Sequence, residues 1–118
     1  MDQLHRVPGG GVELVEYKTG RPQTQKEVDR SRQITLYAEA CRQQLGVEPT
    51  ALILYNLTNQ EAVRTQRSEQ EYRELEQTIR ETARQILAGS FPAQPGYHCR
   101  YCAFRPICPA HEEGSRGE

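Results

Sequence analysis

The sequence has no tryptophan, one methionine and two phenylalanines, so it lacks most of the bulky side chains that anchor small cores. Only 36% of its 118 residues are hydrophobic and the mean hydropathy is −0.82, both low for a self-sufficient globule. A chain of this length forms one domain at most. So thin a core calls for a metal, a cross-link or further chain. No apolar run approaches the roughly 20 residues of a membrane span and no signal peptide opens the chain, so no membrane partner is expected. Lysine is nearly absent: thirteen of fifteen basic residues are arginine, and only Lys18 and Lys26 are lysine. The net charge of −1 excludes a sequence-independent basic coat but leaves room for a local phosphate-facing patch.

What is present begins with Val12-Glu13-Leu14-Val15-Glu16-Tyr17-Lys18-Thr19-Gly20, which reads as a strand ending in two charges and a glycine. Alternation puts Val12, Leu14, Glu16 and Lys18 on one side, and Glu13, Val15 and Tyr17 on the other. A carboxylate and an ammonium closing an otherwise buried face need a partner, and a divalent metal with a polarised water or phosphate is one. The same spacing also suits an edge strand with a solvated Glu–Lys pair. In an arginine-rich chain, lysine at 18 points to a need for a compact, mobile ammonium.

Residues 2–7 alternate loosely before Pro8-Gly9-Gly10-Gly11, which predicts a hairpin into the 12–18 strand. Partners whose numbers sum to 18 or 20 would put Asp2 on the face of Glu16 and Lys18, and an odd sum would turn it away. The even register is expected. A helix is predicted over about 25–45, ended by Gly46, with Ile34, Tyr37, Ala38, Cys41 and Leu45 as its buried stripe. Gln33 and Tyr37 stack one turn apart and reach the charged strand end if the helix packs on the sheet. The nearly all-apolar run 50–57 predicts a central strand, and 61–67 a more exposed one. Ser68-Glu69-Gln70-Glu71 is a capping box. The helix it opens carries Tyr72, Leu75, Ile79, Ala83, Ile86 and Leu87 as a core stripe, and stops at Gly89.

Four cysteines without an export signal suit a reducing, cytoplasmic compartment, where thiols do metal or redox work. Cys99, Cys102 and Cys108 form C-x2-C-x5-C with Pro109 after the third, a spacing that turns two thiolates toward one metal and returns a third. His98 or His111 would complete a zinc site. An iron–sulfur cluster fits the spacing as well, and Cys41 reads as a buried core thiol.

Together these residues resemble the PD-(D/E)XK nuclease superfamily, specifically the RecB-like branch with a C-terminal cysteine cluster. That branch includes AddB-type helicase–nuclease subunits, RecB-family exonucleases and CRISPR-adaptation nucleases. Asp2, thirteen residues, then Glu16-x-Lys18-Thr-Gly is similar to the branch's aspartate followed by (D/E)-Y-K-T-G. Gln33-Ile-Thr-Leu-Tyr37 is similar to Q-x-x-x-Y, and Cys99, Cys102, Cys108 and Pro109 to the cluster signature. The resemblance implies that Asp2 and Glu16, helped by the Tyr17 carbonyl, hold Mg²⁺ or Mn²⁺. It also implies that Lys18 activates water and stabilises developing charge, and that Gln33 and Tyr37 position DNA or the lysine. It implies a [4Fe–4S] cluster on Cys99, Cys102 and Cys108, with zinc as the alternative and a fourth ligand outside this chain. Because Met1 stands just before the first metal-binding aspartate, a fragment or a late start codon is expected, without the family's leading helix and first strand.

The expected fold is α/β, a restriction-endonuclease-like mixed sheet flanked by helices, N-terminally incomplete, with a cysteine-rich C-terminal coil. Expected boundaries are 1–98 for the nuclease core, 99–109 for the cysteine cluster and 110–118 for a polar tail. The expected activity is metal-dependent DNA cleavage at ends or single strands in recombination or repair, with a helicase subunit as a candidate partner. The rival is a non-catalytic nucleic-acid-binding or scaffold domain stapled by the cysteines. Arg21, Arg30 and Arg100, with Arg32 and Arg105, are the candidate phosphate contacts.

Overall fold

The computed structural model describes residues 1–114, with side chains through His111. It divides into two compact units, Met1–Arg80 and the residues from Glu81 onward. The first unit is an α/β layer. Strands β1 (Gln3–Arg6), β2 (Val12–Lys18), β3 (Ala51–Asn56) and β4 (Glu61–Thr65) form one sheet in the order β1-β2-β3-β4. The outer pairs are antiparallel and the central β2–β3 pair is parallel. The apolar run of β3 is therefore central, and Leu52, Ile53 and Leu54 are all buried.

The β1–β2 turn uses Gly9 and Gly10 at φ of 97° and 92°, a region closed to most L residues. It fixes the register at Gln3↔Val15 and Leu4↔Leu14, the even sum. Helices α1 (Gln25–Asp29), α2 (Arg32–Ala40) and the first half of α3 (Glu69–Leu87) bring residues to one sheet face. Leu14, Val28, Ile34, Ala38, Cys41, Leu52, Leu54 and Tyr72 make the core there.

Three expectations are corrected. The helix predicted over 25–45 is broken at Arg30–Ser31, where Ser31 leaves helical geometry and its Oγ accepts from the Ile34 amide to cap α2. Arg67 fills the break, donating to the carbonyls of Val28 (2.8 Å) and Ser31 (3.3 Å) and to the hydroxyls of Thr35 and Thr65 (both 2.7 Å). After Ala40 the chain makes a π turn, Cys41–Leu45, before Gly46 ends it at φ 62°. The wider turn rotates Leu45 out of the expected stripe, and it is 57% exposed.

The third correction concerns α3. Its capping box forms as expected, with the Ser68 amide donating to Glu71 Oε2 at 2.7 Å and the Glu71 amide to Ser68 Oγ at 3.3 Å. Tyr72 and Leu75 are buried, but Ile79, Ala83, Ile86 and Leu87 are exposed or only partly covered, Leu87 at 89%. At 1.5 Å per residue, the 19-residue helix is about 28 Å long, beyond the roughly 17–23 Å of strands of five to seven residues.

From Tyr97 onward the chain turns through short 3₁₀ segments at Tyr97–Tyr101 and Arg105–Ile107 into α4 (Pro109–Gly114). The tail expected at 110–118 thus begins inside a helix, and 115–118 lie outside the described residues.

Candidate active site

The helix-facing side of β2 ends in Glu16 and Lys18. Glu16 is 6% exposed, and its Oε1 lies 3.4 Å from Lys18 Nζ. Lys18 Nζ donates to Gln33 Oε1 at 2.8 Å, and Gln33 Nε2 donates to the Tyr37 hydroxyl at 3.1 Å. Four side chains thus form one polar string across the strand end and the first turns of α2. The α2 cap at Ser31 sets the phase that turns Gln33 and Tyr37 this way, while Ile34 and Ala38 face the core.

Glu16 Oε2 is buried without a well-angled hydrogen bond, yet a cation sits beside it: the Met1 ammonium, 2.9 Å away. Burial alone would lower that ammonium's pKa. The nearby Glu16 carboxylate and Tyr37 oxygen outweigh it and hold the pKa above its ordinary value. Continuing the hairpin register puts Asp2 across from Glu16. Asp2 is exposed, and its Oδ2 accepts from the Tyr17 amide at 2.8 Å. The Tyr17 side chain is on the opposite sheet face, where its hydroxyl donates to Gln3 Oε1 and its ring meets Tyr55 edge-on at 5.9 Å. Among the described residues, no three His, Cys, Asp or Glu side chains converge to hold a metal ion.

The loop after Lys18 rests on residues that sequence reasoning missed. Asn56, 3% exposed, donates to the Gly20 carbonyl at 3.3 Å and accepts from the Thr58 (2.9 Å) and Asn59 (3.2 Å) amides. Thr58 Oγ1 accepts from the Gly20 amide at 3.1 Å, and the Leu57 amide donates to the Lys18 carbonyl at 2.8 Å. The signal was there in Asn56-x-Thr58-Asn59, side chains that bond their own turn backbone.

The candidate phosphate contacts fare unevenly. Arg21 is paired with Glu27 at 2.6 Å, and this guanidinium, with the Thr24 cap, lowers the Glu27 carboxyl to about 2. Its charge is thus largely balanced. Arg30 and Arg32 line a cleft with Asp29, Glu71 and Glu74. Arg100 lies over the Tyr97 ring, 5.1 Å from its centroid, and Arg105 Nε donates to His111 Nε2 at 3.0 Å.

In the second unit, Cys99, Cys102 and Cys108 line one cavity of about 380 Å³ together with His98 and His111. The Gly96 amide donates to Cys99 Sγ at 3.3 Å. Cys41 is apart in character: 1% exposed, in the core of the first unit, with burial raising its thiol pKa. In metal-free protein, iodoacetamide is expected to modify three thiols while Cys41 stays protected until the core unfolds. Intact mass before and after denaturation checks this. A fourth native adduct would mean that the core opens readily.

No curated protein sequence matches the chain. The sequence model of the PD-(D/E)XK nuclease superfamily matches residues 1–109, the whole sheet and the cysteine segment alike. This chain belongs to the PD-(D/E)XK nuclease superfamily.

Proposed function

We propose that the chain is a Mg²⁺- or Mn²⁺-dependent deoxyribonuclease of the RecB-like branch, acting in DNA recombination or repair. The observation that carries this reading is the Glu16–Lys18–Gln33–Tyr37 string at the end of a buried strand. Asp2 and Glu16 supply hard oxygen ligands, with the Tyr17 carbonyl as a third. A divalent cation held there would make a bound water more acidic and neutralise charge on the scissile phosphate. Gln33 keeps the Lys18 ammonium forward by accepting a hydrogen bond from it, and Tyr37 fixes the Gln33 amide. A second N–H faces Glu16, and the third would meet the attacking water or a non-bridging phosphate oxygen. Water adds to phosphorus and gives one proton to bulk solvent, the P–O bond to the sugar breaks, and the leaving oxygen takes a proton from solvent.

In the same reading Cys99, Cys102 and Cys108 are three ligands of a [4Fe–4S] cluster, completed by a thiolate from outside these residues. The three thiols line one cavity with His98 and His111, so zinc remains the alternative occupant. The 1–98 segment is the nuclease core and 99–109 its staple, and a helicase subunit is the partner this branch suggests.

The test is cleavage of end-labelled single- and double-stranded DNA with Mn²⁺ or Mg²⁺. Cutting that disappears in the Asp2→Ala, Glu16→Ala double variant is the expected result. Undiminished cutting by that variant would refute the reading. Binding without cutting, even after addition of upstream coding sequence, would favour the scaffold alternative.

A further inference from the structure

Residues 82–111 contain no Asp or Glu, although they hold Arg84, Arg100 and Arg105, in a chain whose net charge is −1. The same stretch carries four of the eight aromatic residues: Phe91, Tyr97, Tyr101 and Phe104. These rings are not core. They are 75%, 70%, 79% and 70% exposed, whereas Tyr72 of the first unit is 7% exposed. A chain so poor in large apolar side chains leaves half of its aromatic residues in water.

Their arrangement is ordered. The 3₁₀ turn at Tyr97–Tyr101 brings the Tyr97 and Tyr101 rings edge-to-face at 6.0 Å and 64°, with the Arg100 guanidinium over Tyr97. Phe104 precedes the next turn, whose first residue is Arg105. Aromatic rings interleaved with arginines, and free of carboxylates, match the two surfaces of an unpaired nucleic-acid strand: flat bases and anionic phosphates. A duplex keeps its base faces stacked inside and offers only the second.

We infer that Tyr97, Tyr101 and Phe104 form a stacking surface for single-stranded DNA, with Arg100 and Arg105 on its phosphates. This deepens the nuclease reading by naming the form of DNA that is engaged, and it rests on that reading. A protein partner would also be attracted by exposed rings, but the absence of carboxylates over thirty residues, with three arginines present, favours a polyanion.

The experiment is fluorescence anisotropy with the full chain and no divalent metal, so that binding is read without cutting. A labelled thymidine oligomer is compared with an abasic oligomer of equal length and charge. The parent is expected to prefer the thymidine oligomer by about tenfold or more, the scale of one stacked base. A Tyr97→Leu, Tyr101→Leu, Phe104→Leu variant keeps apolar bulk and should bind both oligomers at the abasic level. Arg100→Ala with Arg105→Ala should weaken both equally and flatten the salt dependence. With no tryptophan in the chain, quenching of tyrosine emission by the thymidine oligomer reports contact directly. Equal affinity of the parent for both oligomers would overturn the inference, as would a leucine variant that keeps the preference. So would concentration-dependent dimerisation that the leucine variant abolishes while no base preference exists. A failed cleavage assay leaves all of these readings intact, so the two ideas fail separately.

Discussion

Lys18→Ala is expected to lower the Mn²⁺-supported cleavage rate about 100- to 1,000-fold, the usual loss when one preorganised donor to transition-state charge is removed. The fall should be in kcat, with KM little changed, because the ammonium acts where charge develops and not on the ground-state duplex or strand. Stability should hardly move, since the Lys18 side chain is 33% exposed and its strand is held by pairing on both sides. Lys18→Arg should recover only part of the rate. A planar guanidinium cannot keep both the 3.4 Å approach to Glu16 and the 2.8 Å bond to Gln33 in the space of a point charge. Gln33→Ala leaves the lysine in place but untethered, and its smaller loss would separate positioning from chemistry. Wild-type rates in Lys18→Ala, with folding verified by circular dichroism, would remove the strand end from the mechanism.

Arg67→Ala is expected to cost about 3 kcal/mol of stability, or roughly 10–20 °C in Tm. The guanidinium makes five bonds, to Thr35, Thr65, Gln66, Val28 and Ser31. Removing it takes the one donor that ties the Val28 and Ser31 carbonyls, which keep the Ser31 and Thr35 amides, to the Thr35 and Thr65 hydroxyls in a half-buried position. The Arg67→Lys variant should recover less than half of that loss, because one ammonium cannot span acceptors laid out for a fork. Because α2 carries Gln33 and Tyr37, cleavage should fall as well, but together with Tm. Thermal denaturation beside kinetics therefore distinguishes this variant from Lys18→Ala, in which rate alone falls. A Tm within about 2 °C of the parent would mean that water replaces the arginine at little cost.

These two residues also mark what could be read from the sequence. Lys18 was legible because strand alternation is local: once Pro8–Gly11 turned the hairpin and Leu14 faced the core, Glu16 and Lys18 had to share that face. The capping box at Ser68 and the buried run of β3 were legible for the same reason. Arg67 was not, because its partners at the helix break lie 32 to 39 residues away and only the folded chain assembles them. The break it fills was missed with it, although Ser31 carried the cap chemistry. The stripe of α3 misled because periodicity reports which residues share a face, not whether anything covers it. The Arg21–Glu27 pair was not legible either, because Glu27 reads as a capping residue and the loop that brings Arg21 to it has no periodicity.

The parallel pairing of β2 with β3 has a consequence in time. Glu13 meets Ala51 and Lys18 meets Asn56, so the strand bearing the candidate site gains its second neighbour only after 38 further residues separate each pair. At about 5–20 residues per second the ribosome takes seconds to deliver β3, and until then Leu14 can pack on α1 and α2 but lacks Leu52 and Leu54 beside it. Non-local parallel pairs also close slowly. The newborn chain thus passes through a window in which β2 offers an unpaired, partly apolar edge, and chaperone occupancy or inclusion-body formation should concentrate in that interval.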